Sequence, residues 1–571
     1  MIRFLLVIIT LSFSGIAWAA SQLTTQFSGV SGRAEENVKK ALTNEKAKIE
    51  TPIDQVGIQF FIKKAPAAIK EALQPYGYFN PIIKTTSSRK GNLWTVNFQI
   101  NPGPPTMLTQ VSVGIIGPGQ NDRAFKRIYQ HLPIKVGDRL ITENYEKAKQ
   151  LLYDLASTRG YFDAEMLQNK IYINIKTNQA QIYLKFKTGH RYLFGKTSFS
   201  ETPFNPRFLR RFLDYKKGRY YNYQKISKTQ EDFVNSNYFS AAIITPNQKK
   251  SVEYQVPINI ELTPRERFAY SFGAGYGTDT GPRGTAGYEI RRVNKYGHQF
   301  KTLIQAAKNN SYASASYLIP GRHPASDIWT LSGGYADFDQ VTGNGKGYKI
   351  QAGYSTSIGR WKQTVNLTFL NERYNIVNFP FTKTQMLYPN INWQFISTKK
   401  KELYPKFGFS FSGFLGGTPK SSISAASFVQ ARVDLKTLMT FFHRTRLILR
   451  TSIARTEIDN LEQLPFSLQL WAGGARSVRG YSYNQIGPGK NLFVGSIELQ
   501  EKIVGNWYLV GFFDMGNVTD RSAFDLHTMS EGAGPGIAWL SPIGVLELTV
   551  ANAFTQPNKP WVVQFTMGPE L

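Results

Sequence analysis

Cysteine is absent from all 571 residues, which removes disulfide frameworks, thiolate metal sites and cysteine nucleophiles together. Histidine is scarce. His131, His190, His298, His323, His443 and His527 are scattered, with no HExxH or paired spacing, so no metal centre is expected. Neither a GxSxG elbow nor a Walker loop occurs. The glycines at Gly532, Gly534 and Gly536 are followed by no helical pattern, and Pro535 among them suits a turn or strand entry. No catalytic residue and no cofactor is expected; the chain reads as a non-enzyme. Beyond residue 20 no apolar run reaches 18 residues, so no helix spans a bilayer, although a barrel would hide its apolar residues at alternate positions. Acidic residues are few, 39 against 68 basic ones, giving a formal charge of +29. The excess lies in both halves, without an arginine-rich arm or an aromatic RNA-binding signature. It points to anionic lipid headgroups rather than nucleic acid.

What is present begins with an address. Arg3, the apolar run Phe4–Ile16 and the small residues Ala17, Ala19 and Ala20 form an export signal over 1–19. Residues 20–265 then repeat themselves. Gly77-Tyr78-Phe79, Gly160-Tyr161-Phe162 and Asn237-Tyr238-Phe239 stand 83 and 77 residues apart. Each triplet follows an amphipathic helical stretch (Ala65–Leu73, Glu143–Ala156, Tyr223–Phe233) and precedes two strand-like runs,. An opening strand signal gives the order β-α-α-β-β for each unit. Glycine lets the chain turn at the helix end, and Tyr-Phe anchors the next strand on the helices. These residues build the unit and contact no substrate.

From Phe268 the period drops to two. Phe268, Tyr270, Phe272, Ala274 and Tyr276 share one face, and Ser271, Gly273 and Gly275 the other. Similar alternation recurs to the end, with small inward residues that predict a wet lumen. A soluble sandwich and a membrane barrel both fit this pattern. Aromatic faces and about 306 residues without a helix favour a barrel of on the order of 16 strands.

In the last third, apolar residues assigned to lipid leave Glu498, Asp514 and Glu547 facing inward on three strands. A loop carrying Arg479 is placed to meet them, its planar guanidinium suited to binding carboxylate in two places. The bland alternative is a solvated loop arginine. Closure would pair Phe268–Tyr276 with Trp561–Met567. Gly273 and Gly275 weaken the first of these, and Gly568 and Pro569 end the second, so a seam able to part sideways and ordinary strand termination both remain open.

The β-α-α-β-β order and the Tyr-Phe landmark resemble polypeptide-transport-associated (POTRA) domains, at 20–106, 107–190 and 191–265. Val478-Arg479-Gly480-Tyr481 matches the VRGF/Y motif of the BamA-like superfamily of outer-membrane assembly and secretion proteins. Gly495–Leu499, Phe512–Val518, Gly534–Trp539 and Ser541–Gly544 match its following strands. The resemblance implies an α+β chain of three POTRA domains before a transmembrane antiparallel β-barrel at 266–571, with Arg479 paired to Asp514 and then Glu498. Three units and this length resemble the TamA-type branch. That implies outer-membrane assembly of autotransporter and other β-barrel clients, contact with outer-membrane lipids, and a TamB-like inner-membrane-anchored partner. A two-partner secretion pore and a general BamA-like insertase are the alternatives.

Overall fold

A computed structural model of the chain describes residues 22–50, 53–279, 281–377, 379–398, 404–521, 526–542 and 544–568; the expected export signal lies outside them. The described residues belong to two compact units. One comprises stretches within 1–197, 215–226 and 246–258, the other stretches within 198–214, 227–245 and 259–571. The third β-α-α-β-β domain contributes to both.

The first domain runs β1 (Gln22–Ser28), α1 (Gly32–Ala47), α2 (Gln55–Leu73), β2 (Ile82–Lys90) and β3 (Leu93–Asn101). Helix α2 starts ten residues before the stretch read from sequence, because the Asp54 carboxylate accepts the Gly57 N–H at 2.6 Å and caps it,. The second domain repeats the order with β4 (Met107–Ile116), α3 (Arg123–Ile128), α4 (Thr142–Arg159), β5 (Glu165–Asn174) and β6 (Gln179–Lys187). The third has β7 (Leu193–Phe199), α5 (Pro206–Leu209), α6 (Tyr223–Asn235), β8 (Phe239–Pro246) and β9 (Gln255–Pro264). The sheet orders are β1-β3-β2, β4-β6-β5 and β7-β9-β8. In every sheet the last strand is central and the strand after the helices is an open edge.

The Tyr-Phe landmarks do more than build their own domains. Phe79 packs against the core of the second domain. Tyr161 is buried at home, whereas Phe162 sets its ring edge-on to Tyr192 and Tyr221 of the third domain, at 5.3 and 4.9 Å. In the third copy Asn237 takes the glycine's place at φ +65°, and its Nδ2 donates to Glu289 on the barrel at 3.1 Å. Tyr238 donates to the Gly297 carbonyl. Each landmark thus joins its domain to the next module. Sequence shows an apolar residue there but not which core receives it.

The barrel is one sheet of sixteen antiparallel strands. Its first ten are β10 (Phe268–Gly277), β11 (Gly281–Ile290), β12 (Gln299–Ala307), β13 (Asn310–Pro320), β14 (Ile328–Gln340), β15 (Gly343–Ile358), β16 (Trp361–Ile376), β17 (Thr382–Ile396), β18 (Phe407–Thr418) and β19 (Phe428–Phe441). After β20 (Thr445–Ile458) a long loop carries the small hairpin β21 (Leu470–Ala472) and β22 (Ile486–Gly489). The wall then continues with β23 (Asn491–Val504), β24 (Trp507–Thr519), β25 (Ser530–Ser541), β26 (Gly544–Ala553) and β27 (Trp561–Gly568). Phe268, Tyr270, Phe272 and Tyr276 are exposed on the outer face, as the alternation requires.

Two expectations need correction. The wet lumen is partly filled, because Leu370, Met386, Tyr388 and Phe428 on the inner wall pack with Leu464 of the long loop. Pro535 lies inside β25 rather than at a turn. The ladder to β26 passes from Ala533↔Asn552 to Gly536↔Thr549 and skips Gly534 and Pro535, the second of which has no N–H to give,.

Candidate functional site

The loop between β20 and β23 is held at two places on the wall. Its first part lies against β16, β17 and β19. Tyr374 Oη donates to the Leu464 carbonyl at 2.7 Å, Thr384 Oγ1 to Gln463 at 2.6 Å and Gln430 Nε2 to Leu468 at 2.7 Å. The Glu372 carboxylate accepts the Ser467 N–H at 3.1 Å. These side chains tie down backbone that no ladder satisfies.

The second part carries Val478, Arg479, Gly480 and Tyr481 between β21 and β22. Val478 is wholly buried and packs with Ala454, Leu470, Leu492 and Val494. Gly480 has φ +93° and sits against the Asn552–Ala553 backbone, a conformation and an approach that a side chain would oppose. Its N–H donates to Gln564 Oε1, whose Nε2 returns a hydrogen bond to the Tyr481 carbonyl, both at 3.1 Å. Tyr481 Oη and Thr555 Oγ1 share a hydrogen bond at 2.5 Å.

Arg479 is 1 % exposed. Its Nε and Nη2 grip Asp514 at 2.7 and 2.9 Å, and its own backbone N–H donates to the same carboxylate at 3.0 Å. Nη1 reaches Glu498 at 2.7 Å and Glu547 at 3.1 Å. Beneath the guanidinium lies the Phe512 ring, 3.5 Å from its centroid, which adds a cation–π attraction. Three inward carboxylates would repel one another around a single cation. Arg450 supplies a second one, donating to Glu498 at 3.0 Å, and Gln500 donates to Glu498 at 2.7 Å. The cluster is therefore a hydrogen-bonded network in which each member satisfies another.

The sequence-derived partners Asp514, Glu498 and Glu547 all converge on Arg479. Residues not foreseen are Arg450, Gln564, Phe512 and two glycines. A β-carbon on Gly532 would lie 1.9 Å from the Arg479 carbonyl oxygen, and one on Gly516 2.8 Å from Val478. Inward alternation places Arg450 on the same face as Glu498, a signal that was available. The glycines give none until the loop is in place.

At the seam, the described residues of β10 and β27 share no ladder; the sheet runs from one to the other as its two ends. Thr278 bridges them, its N–H 3.5 Å from the Phe565 carbonyl and its Oγ1 accepting the Phe565 N–H at 3.3 Å. Gly273 and Gly275 lie in β10 opposite Thr285 and Arg283 of β11. Gly568 ends β27, and a β-carbon there would meet Arg476 Nη2 at 2.6 Å. Pro569 lies outside the described residues. The loop touches both sides of this opening. Ala475 N–H donates to Asp279, just past β10, at 2.9 Å, and Arg476 donates to the Met567 carbonyl of β27 at 3.1 Å. Among the described residues no group of His, Asp or Glu is arranged to hold a metal ion.

Comparison with known proteins agrees with this geometry. Residues 292–570 match the Omp85 superfamily domain, residues 24–102 the POTRA domain described as TamA domain 1, and residues 192–265 the POTRA family described as surface antigen variable number repeat. Among solved structures, BamA from Haemophilus ducreyi lacking POTRA domains 1–3 superimposes with a TM-score of 0.67 at 17% identity, covering 81% of this chain and 99% of that one. CdiB from Acinetobacter baumannii gives a TM-score of 0.47 at 13% identity over 94% and 99%. With POTRA-type domains ahead of a sixteen-stranded barrel and a buried Val-Arg-Gly-Tyr loop inside it, the chain carries an Omp85 superfamily domain over residues 292–570.

Proposed function

We propose that this protein is an outer-membrane assembly factor that inserts or translocates autotransporter and other β-barrel clients, with its POTRA domains in the periplasm. The observation that carries the reading is the seam. Strands β10 and β27 meet without a ladder, and each presents backbone groups that an incoming client strand satisfies by pairing,. The Arg479 loop holds the two sides in place through Asp279 and Met567, so release of the loop frees the opening. The edge strands β2, β5 and β8 offer extended clients a first docking site by the same strand addition,.

The matching TamA-type first domain and the presence of three such domains support the TamA-like branch, and with it a TamB-like inner-membrane-anchored partner. The reading assigns no catalysed reaction. The free energy for assembly comes from folding of the client in the membrane. The test is a disulfide between Thr278→Cys and Phe565→Cys in this cysteine-free chain. Oxidation stops client assembly and reductant restores it. Normal assembly through a closed seam defeats the proposal, and normal passage of an unfolded exoprotein then favours a secretion pore.

A further inference from the structure

The barrel wall has a second irregularity, far from the seam. Strand β17 pairs with β16 from Thr382 onward, but with β18 only from Asn390↔Gly416 to Ile396↔Ser410. The split starts at Pro389, which has no N–H to continue the ladder. Above it the strands diverge around a groove of about 1150 Å³. Its flanks are the outward side chains Val365, Ile391, Leu415 and Val429, three of them well exposed. Its floor is Phe428 and Ile458, which belong to a buried apolar cluster. That cluster closes the groove from the lumen, so it opens outward. Gly416 and Gly417 contribute no side chains that would fill it.

We infer that this groove seats an acyl chain of a phosphate-bearing membrane lipid. Three observations select that occupant. First, the groove lies on the outer wall of a barrel, which faces hydrocarbon. Second, its free edge is already occupied. Ser424 Oγ accepts the Leu387 N–H at 3.0 Å and donates to the Leu387 carbonyl at 3.1 Å, and the Ala425 N–H donates to Gln385 at 3.0 Å. With Pro389 next in line, a client strand finds little to pair with, whereas a hydrocarbon chain needs no partner. Third, the groove changes character along its length. The aliphatic flanks lead to a polar rim formed by Glu457, Asp459 and Lys490. Arg455 pairs with Glu457, and the Lys490 ammonium, 3.4 Å from the Asp459 carbonyl, is placed to meet a phosphate. The inference rests on the barrel being embedded in lipid and is independent of the client reading.

The experiment is native mass spectrometry of the full chain in detergent, titrated with dioleoylphosphatidylglycerol. Folding is checked by heat-dependent gel mobility. The parent retains one lipid. Leu415→Trp with Val429→Trp fills the groove and weakens retention about tenfold or more. Lys490→Gln weakens it about fivefold, as loss of one lysine–anion contact predicts, and leaves retention of dioleoylglycerol unchanged. If the tryptophan pair does not fold, the Lys490 variant decides alone. Equal retention by parent and folded variants, or equal loss of both lipids on removing Lys490, overturns the proposal. So does crosslinking of a barrel-strand peptide, in place of lipid, at position 429.

Discussion

Gly532 and Arg479 meet backbone to backbone: a β-carbon on Gly532 would stand 1.9 Å from the Arg479 carbonyl oxygen. The buried charge network inside the barrel therefore depends on a residue that makes no polar contact with it. Arg479 turns its side chain toward Asp514 and presses its main chain against β25.

Gly532→Ala should push the loop off the wall without unfolding the barrel. Gly511→Ala is the control, since nothing lies within 4 Å of a β-carbon there. Limited proteolysis in detergent should cut the 473–485 segment faster in the first variant only. Equal cleavage in both would refute the steric reading.

Arg479→Ala leaves Asp514, Glu498 and Glu547 facing a single guanidinium. Removing one partner of a buried pair costs about 3–5 kcal/mol. Thermal unfolding should shift down, and client assembly should fall with it. Arg479→Lys should recover only part of either, because an ammonium cannot hold both Asp514 oxygens and Glu498 in one plane. Full rescue by lysine would mean that charge alone matters.

Asp279→Ala and Arg476→Ala each remove one strut between the loop and the seam. Client strands should crosslink to β10 or β27 more readily in both, with little change in melting temperature. A large loss of stability without any gain in crosslinking would show the struts to be purely structural.

Asp122, between α3 and the third domain, predicts a pH effect. Burial raises its carboxyl, but the Ala124 N–H and the Arg159 and Arg191 guanidinium groups outweigh this and hold it below its usual value. A depressed carboxylate contributes stability above its unfolded pKa of about 3.9, and that contribution is lost as pH falls through the folded value. Melting of the parent should therefore drop more than that of Asp122→Asn between pH 6 and 3. Parallel curves would rule the linkage out.

The readable parts of this sequence were those with local causes. A period of two fixes which side of Phe268–Tyr276 faces lipid, and the same alternation turns Glu498, Asp514 and Glu547 inward, where all three meet Arg479. The unreadable parts depend on which strands become neighbours. Gln564 serves Gly480 from 84 positions away, and nothing near it in the chain marks it. Gly532 looks like Gly511 until the loop lies on one of them. Pro389 reads as an ordinary strand proline until the ladder is seen to end there. The Arg450–Glu498 pair lay within reach, since both occupy inward positions on adjacent strands.

The landmarks at Phe79, Phe162 and Tyr238 have a consequence for how such chains change length. Because each repeat carries, within the same three-residue landmark, the piece that plugs into whatever follows, gaining or losing one copy requires no freshly invented junction. Only the final copy must differ, since it greets a barrel rather than a sibling, and the swap of glycine for Asn237 is where that difference is written.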